Sequence, residues 1–249
     1  MTIEFAEASL TGDREDNQDR AAVAASDGSA LLVVMDGMGG HAFGARAAEV
    51  GCKAMIELYR AEPKPLFDPL GFLHLALGRA HAAVVAIGSR LAVDLRPRAT
   101  CAVCLVQRQE AYWAHIGDSR VYHLRAGAVL SRTRDHSHVE QLLRDGSIRE
   151  EEVPSHPMRN FVECCLGGEP FLPEMTLGLR EPLEANDILL ACSDGLWGGL
   201  EDADIGGAFP PARAPLRDEL VRLAERSVSV VGSGADNTTA AVVRWIGNG

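Results

Sequence analysis

The stretch Leu31-Leu32-Val33-Val34-Met35-Asp36-Gly37 decides the architecture. Five apolar residues in a row leave no face for water, so a strand built from them is buried on both sides and lies between two layers. The run then ends on an acid and a glycine, which belong to a turn. Four more runs share this form: Thr100 to Val106, Ala111 to Ile116, Ile188 to Cys192 and Thr239 to Val243. They are apolar at odd and even positions alike, which asks for a second sheet on one side and helices on the other.

Helices supply the outer cover. Leu73, Leu77, Ala80, Val84 and Ile87 recur at spacings of four and three, predicting an amphipathic helix over about 69–90. Ala47, Ala48, Gly51, Ala54, Met55 and Leu58 mark another over about 44–60, and Leu216, Leu220 and Leu223 a shorter one near 216–227. Between about 135 and 175 the composition changes. Ser137-His138-Val139-Glu140 has the form of a capping box and Gly146 suits a helix stop. Dense charge and two prolines, Pro154 and Pro157, follow. This segment is expected to be a small polar excursion without a core of its own. No Pro/Gly/Ser linker and no repeat divides the chain, so the sequence predicts one domain over 1–249 with the excursion at about 138–175.

Composition limits the partners. With 24 Lys+Arg against 35 Asp+Glu the net charge is −11, which disfavours nucleic acid and anionic membrane. No apolar run is expected to approach the roughly 20 residues of a membrane-spanning helix. Met1 to Phe5 lacks the basic and apolar regions of a secretory signal, so a cytoplasmic location is expected. The only CxxC, Cys101 to Cys104, falls in a strand-like run where residues three apart face opposite ways. The six cysteines are therefore expected to be small buried hydrophobes in a reducing compartment, not a zinc set.

Chemistry gathers where the runs end. They run into Asp36-Gly37, Gly117-Asp118 and Ser193-Asp194-Gly195, while Gly234-Ala235-Asp236-Asn237 precedes the last one. Near the N-terminus Arg14-Glu15-Asp16-Asn17-Gln18-Asp19 adds an arginine and a further acid. Any one of these alone reads as an ordinary turn. Packed strands, however, can bring their ends to a single rim. If Asp19, Asp36, Asp118, Asp194 and Asp236 meet there, their repulsion needs a counter-charge. Oxygen-only ligands with open positions suit Mg²⁺ or Mn²⁺, and Gly37, lacking a side chain, lets its carbonyl approach a cation. Two such ions about 3.5–4 Å apart lower the pKa of a shared water, which suits in-line attack on a phosphate ester. Arg14 either anchors the phosphate through its guanidinium fork or pairs with Glu15 or Asp16.

These motifs, in order along nearly the whole chain, resemble the bacterial branch of the PP2C-type (PPM) metal-dependent protein serine/threonine phosphatases. Arg14 to Asp19 resembles the family's opening Arg-x-x-Asn-Glu-Asp, and Met35-Asp36-Gly37-Met38-Gly39-Gly40-His41 its Asp-Gly-Met-Gly-Gly signature. Gly117-Asp118-Ser119-Arg120, Asp135-His136-Ser137, Ser193-Asp194-Gly195-Leu196 and Asp236-Asn237-Thr238-Thr239 complete the set. The resemblance implies an α+β fold, a four-layer α-β-β-α sandwich of two central antiparallel β-sheets flanked by helices. It implies two or three Mn²⁺ or Mg²⁺ ions. Asp36 would bridge a pair and Gly37 would give its carbonyl to one. Asp194 and Asp236 would complete the other, and Asp118 with Asp194 would hold the third. Asp19 would act near the pair and Arg14 would take the phosphate.

Residues 138–175 would form a flap beside the site, ordered by His136. The implied activity is hydrolysis of phosphoserine and phosphothreonine on proteins by a metal-bridging hydroxide, opposing a serine/threonine kinase and acting on its substrates as a monomer. Two alternatives from other classes are a catalytically idle phosphoprotein-binding module and a phosphatase of small metabolites. Gln18 stands where the family has Glu, and Met38 where eukaryotic relatives carry a proposed general acid. His41 would take that role or cap the helix that follows.

Overall fold

The run at 31–35 lies inside a longer strand, Ser29–Met38, in a computed structural model that describes residues 2–26, 28–38, 41–178, 180–210 and 214–247 (backbone only at 41, 42 and 154). In chain order the first elements are β1 (Thr2–Leu10), β2 (Asp19–Ser26), β3 (Ser29–Met38), α1 (His41–Ala61) and α2 (Pro69–Gly88). A run of strands follows: β4 (Arg98–Ala99), β5 (Cys101–Gln107), β6 (Glu110–Ile116), β7 (Arg120–Arg125) and β8 (Ala128–Arg132). Next come α3 (His138–Arg144), β9 (Leu166–Gly167), β10 (Thr176–Leu177), β11 (Glu181–Pro182) and β12 (Ile188–Cys192). The chain closes with α4 (Asp194–Trp197), α5 (Asp202–Gly206), α6 (Leu216–Val231) and β13 (Thr238–Gly247).

The strands form two sheets. One has the order β1-β13-β12-β7-β8; the other runs β10-β6-β5-β3-β4-β9, with β2 also on β3 and β11 on β6. The long pairings β1·β13, β12·β13, β12·β7, β2·β3, β3·β5 and β5·β6 are all antiparallel.

Side-chain parity explains why β3 is apolar throughout. Ala30, Leu32 and Val34 point between the sheets, where they meet Val121, Leu189 and Ala241 of the other sheet. Leu31, Val33 and Met35 point outward onto Met55, Leu73 and Leu77 of α1 and α2. On the far side Leu190 and Val242 pack under Leu220 and Leu223 of α6. Each fully buried side chain of this size contributes about 1.5–3 kcal/mol relative to exposure. These are the four layers, α-β-β-α, that the resemblance implied.

The cysteine expectation is met in part: Cys101 lies under the helices and Cys104 between the sheets, and Cys52 and Cys192 are buried too, but Cys164 and Cys165 in the charged segment are only half-buried. One expectation needs correction. Helix α2, 20 residues long and with mean hydropathy 1.6 over its most apolar 18 residues, is long and apolar enough to cross a membrane. Its apolarity has a local cause, because Phe72, Leu73, Ala76, Leu77, Ala80 and Val84 are buried.

The charged segment after β8 is largely exposed, and Val139 and Leu166 are its buried apolar side chains. Its helix begins with one half of the expected capping box, Ser137 Oγ accepting from the Glu140 N–H at 3.4 Å. It stops at Gly146, whose φ of 69° is left-handed.

Candidate active site

Strand parity carries Asp36 to the site. It continues the row Ala30, Leu32, Val34 that points between the sheets, so its carboxylate emerges where the apolar layer ends. Asp19 opens β2 and lies directly opposite Asp36 in the β2·β3 register. Cross-strand neighbours share a face, with Cβ atoms about 4.5–5.5 Å apart, and like charges there repel. Asp118 follows β6, Asp194 starts α4 directly after β12, and Asp236 precedes β13. Five acids distant in sequence thus gather at one end of the sandwich.

Their electrostatics record the crowding. Burial pushes the Asp36 carboxyl well above its ordinary value, and the charges of Asp19, Asp194, Asp118 and Asp236 push it further. Burial likewise raises Asp118, with Asp194 adding, and raises Asp194, with Asp236 adding. Asp19 is raised by burial and Asp194, against a hydrogen bond from Ser193 Oγ at 2.7 Å that favours its ionised form.

Beneath the acids lies a layer of hydroxyls. Thr100 and Ser119 hydroxyls bond each other at 2.6 Å, and the Thr239 N–H donates to Ser193 Oγ at 3.0 Å. Ser9 and Thr239 hydroxyls are 2.7 Å apart. Sequence reasoning missed this layer as functional. Its signal was parity: Thr100, Ser193 and Thr239 continue the between-sheet rows of β5, β12 and β13.

The donor set fits hard divalent cations. Buried Oδ1 atoms of Asp19 and Asp118 have no hydrogen-bond partner among the described residues. Such orphaned oxygens beside like charges are costly unless a cation or proton meets them. No three acidic, histidine or cysteine groups among the described residues already close around one point. Asp236 is engaged elsewhere: its Oδ1 and Oδ2 accept from Arg14 Nε at 3.0 Å and Nη2 at 2.7 Å. Arg14 is thus held by an acid 222 residues away along the chain. Asn237 fastens that approach. Its Nδ2 donates to the carbonyls of Thr11 and Asp16, and its Oδ1 accepts from the Gln18 N–H.

Gly37 and Gly117 are among the glycines the site requires sterically. A Cβ on Gly37 would lie 2.0 Å from the Gly44 carbonyl oxygen of α1. Gly117 has φ 95°, and a Cβ there would lie 2.6 Å from Thr100 Cγ2. The peptide bearing Asp118 is held further by Trp197 Nε1, which donates to the Asp118 carbonyl at 3.0 Å. Arg120 stacks 3.5 Å over the Trp197 ring while its fork grips Asp135 at 2.8 and 2.7 Å. Gln18 Oε1 is packed toward Gly44. Gly39, Gly40 and the side chain of His41 lie outside the described residues.

The sequence profile of protein phosphatase 2C matches residues 9–229. The chain belongs to the protein phosphatase 2C family. Its similarity to curated phosphatases agrees. It is 36% identical over 217 residues to the serine/threonine protein phosphatase PstP of Mycobacterium tuberculosis (strain H37Rv), covering 86% of this chain but 40% of that protein. The chain therefore spans less than half the length of this relative. It is 31% identical over 187 residues to the serine/threonine phosphatase stp of Listeria monocytogenes (serotype 4b), covering 74% of this chain and 73% of that one. Among solved structures, the catalytic domain of PstP in complex with two manganese ions superposes with a TM-score of 0.81 at 30% identity, covering 98% of this chain and 99% of that one. As a 2C-family member, the chain has the sandwich that places all five acids at one rim.

Proposed function

We propose that this chain, a single domain over 1–249 with a flap at about 138–175, hydrolyses phosphoserine and phosphothreonine on proteins. One observation carries the proposal: the directly opposed Asp19 and Asp36, raised above their ordinary pKa values together with Asp118 and Asp194, with orphaned oxygens and an arginine at the rim. Asp36, Asp194, Asp236, Asp118, Asp19 and the Gly37 carbonyl would hold two or three Mn²⁺ or Mg²⁺ ions, a proposal supported by the manganese in the PstP structure. When bound, such ions supply an activated water and offset charge on the phosphoryl oxygens.

The chain's own part is orientation. Ser193 Oγ fixes one oxygen of Asp19, and the Thr100 hydroxyl accepts from the Asp36 N–H at 3.3 Å. Arg14, leaving Asp236, would grip two phosphate oxygens through its fork. Every residue in these roles comes from one chain, so a monomer suffices as a catalytic unit. Phosphoproteins modified by a serine/threonine kinase would be the substrates. Six free thiols fit a reducing, cytoplasmic setting.

The test is phosphate release from a phosphothreonine peptide with Mn²⁺, after chelation, and by Asp36→Asn. Release that needs Mn²⁺ and falls at least about a thousand-fold in the variant is expected. Activity indifferent to both, or turnover confined to sugar phosphates, would overturn it.

A further inference from the structure

His136 stands just before the flap and reaches three things at once. Its backbone N–H donates to the Gly117 carbonyl at 2.8 Å, and its Nδ1 accepts from the Gly117 N–H at 3.3 Å. Both polar groups of the glycine preceding Asp118 are thus held by one residue. An Nδ1 that accepts leaves the ring proton on Nε2. That nitrogen donates to Thr176 Oγ1 at 2.8 Å, on β10 just beyond the flap. The flap's return stem also reaches His136, whose carbonyl accepts from the Glu163 N–H at 2.8 Å.

The ring has a fixed platform. His115 stacks on it with centroids 4.4 Å apart, and His115 Nε2 is held on the Arg134 carbonyl at 2.6 Å. Burial and the neighbouring His136 lower the His115 pKa to about 4, so its ring is neutral near pH 7. Thr176 pairs with His115 in the β10·β6 register, closing the circuit from β6 through the ring to β10.

We propose that His136 is a positioning residue that ties both stems of the flap to the Gly117-Asp118 turn, so that flap placement and the setting of the Asp118 carboxylate move together. A protein seated under the flap would then act on Asp118 through His136. The kinetic part rests on the phosphatase proposal; the coupling itself does not.

Three variants separate the arms. Thr176→Val removes only the acceptor for Nε2. His136→Asn keeps an acceptor near the Nδ1 position and loses the Thr176 arm. His136→Gln keeps a donor near the Nε2 position and loses the hold on the Gly117 N–H. Hydrogen exchange at the Gly117 amide is followed in chelator-treated protein, and kcat and KM with Mn²⁺ on a phosphothreonine peptide and on p-nitrophenyl phosphate.

Coupling predicts that Thr176→Val and His136→Asn speed Gly117 exchange about five-fold although its own acceptor remains, and that His136→Gln speeds it more. It also predicts that kcat falls for both phosphate esters while the KM of p-nitrophenyl phosphate stays unchanged. Faster exchange confined to flap amides, with Gly117 and kcat as in the wild type for Thr176→Val, would overturn the proposal. If His136→Gln does not fold, Thr176→Val decides alone. A wild-type protein inactive on both esters would refute the phosphatase proposal and leave the exchange result to decide the coupling.

Discussion

Both oxygens of Asp236 accept hydrogen bonds from Arg14, so a cation that uses this carboxylate must displace a guanidinium. The pair is roughly half-exposed on both sides, and exposed ion pairs are worth about 0–1 kcal/mol. Arg14→Ala is therefore expected to bind Mn²⁺ as tightly as the wild type or up to about five-fold more tightly, while its phosphopeptide KM rises. Calorimetry and steady-state kinetics check the two halves, and weaker Mn²⁺ binding by Arg14→Ala would contradict the competition. At this scale the sequence was partly legible. Asp36 and Asp194 stand out because each ends an apolar run. The partner of Arg14 was hidden because nothing local marks an acid that only the folded sheets bring near. Ser193 and Thr239 were hidden because a hydroxyl at a strand end also serves ordinary turns.

Among elements, the end of β7 and the start of β12 are joined away from the acids, at the opposite end of those strands. Asp187, fully buried, accepts from Arg125 Nε and Nη2 at 2.7 and 2.6 Å, and lies 2.8 Å from His123 Nε2. Burial alone would raise this carboxyl, but the bonds from Arg125, His123 and the Glu184 N–H outweigh it and hold it at about 2. The folded value lies below the ordinary 3.8, so its stabilisation is complete above that pH and is lost as pH falls toward 2. The effect amounts to about 2 kcal/mol. Urea unfolding from pH 6 to pH 2 should accordingly show Asp187→Asn less stable than the wild type at pH 6, with the gap narrowing toward pH 2. A gap constant with pH would contradict the assignment. Strands β3, β5, β6, β12 and β13 were legible because both of their faces are buried. Edge strands β1 and β8 were not, since most of their residues keep contact with water and the apolar signal thins.

For the whole molecule, the same parity that fills the space between the sheets with Leu32, Val34, Leu189 and Ala241 delivers Asp36, Ser193 and Thr239 to its open end. Fold and site were therefore legible together, and so was a role for His136 at the flap, while its hold on Gly117 and Thr176 was not, because those two meet only in three dimensions. Crowded acids raised by burial leave the metal-free protein with charge it accommodates poorly, which a divalent cation would relieve. The most direct measurement is a calorimetric titration of Mn²⁺ into chelator-treated protein, with Asp36→Asn alongside. The account predicts on the order of two ions per chain for the wild type and loss of tight binding in the variant. A wild type that takes up no Mn²⁺, or an Asp36→Asn protein that binds it with unchanged number and affinity, would contradict it.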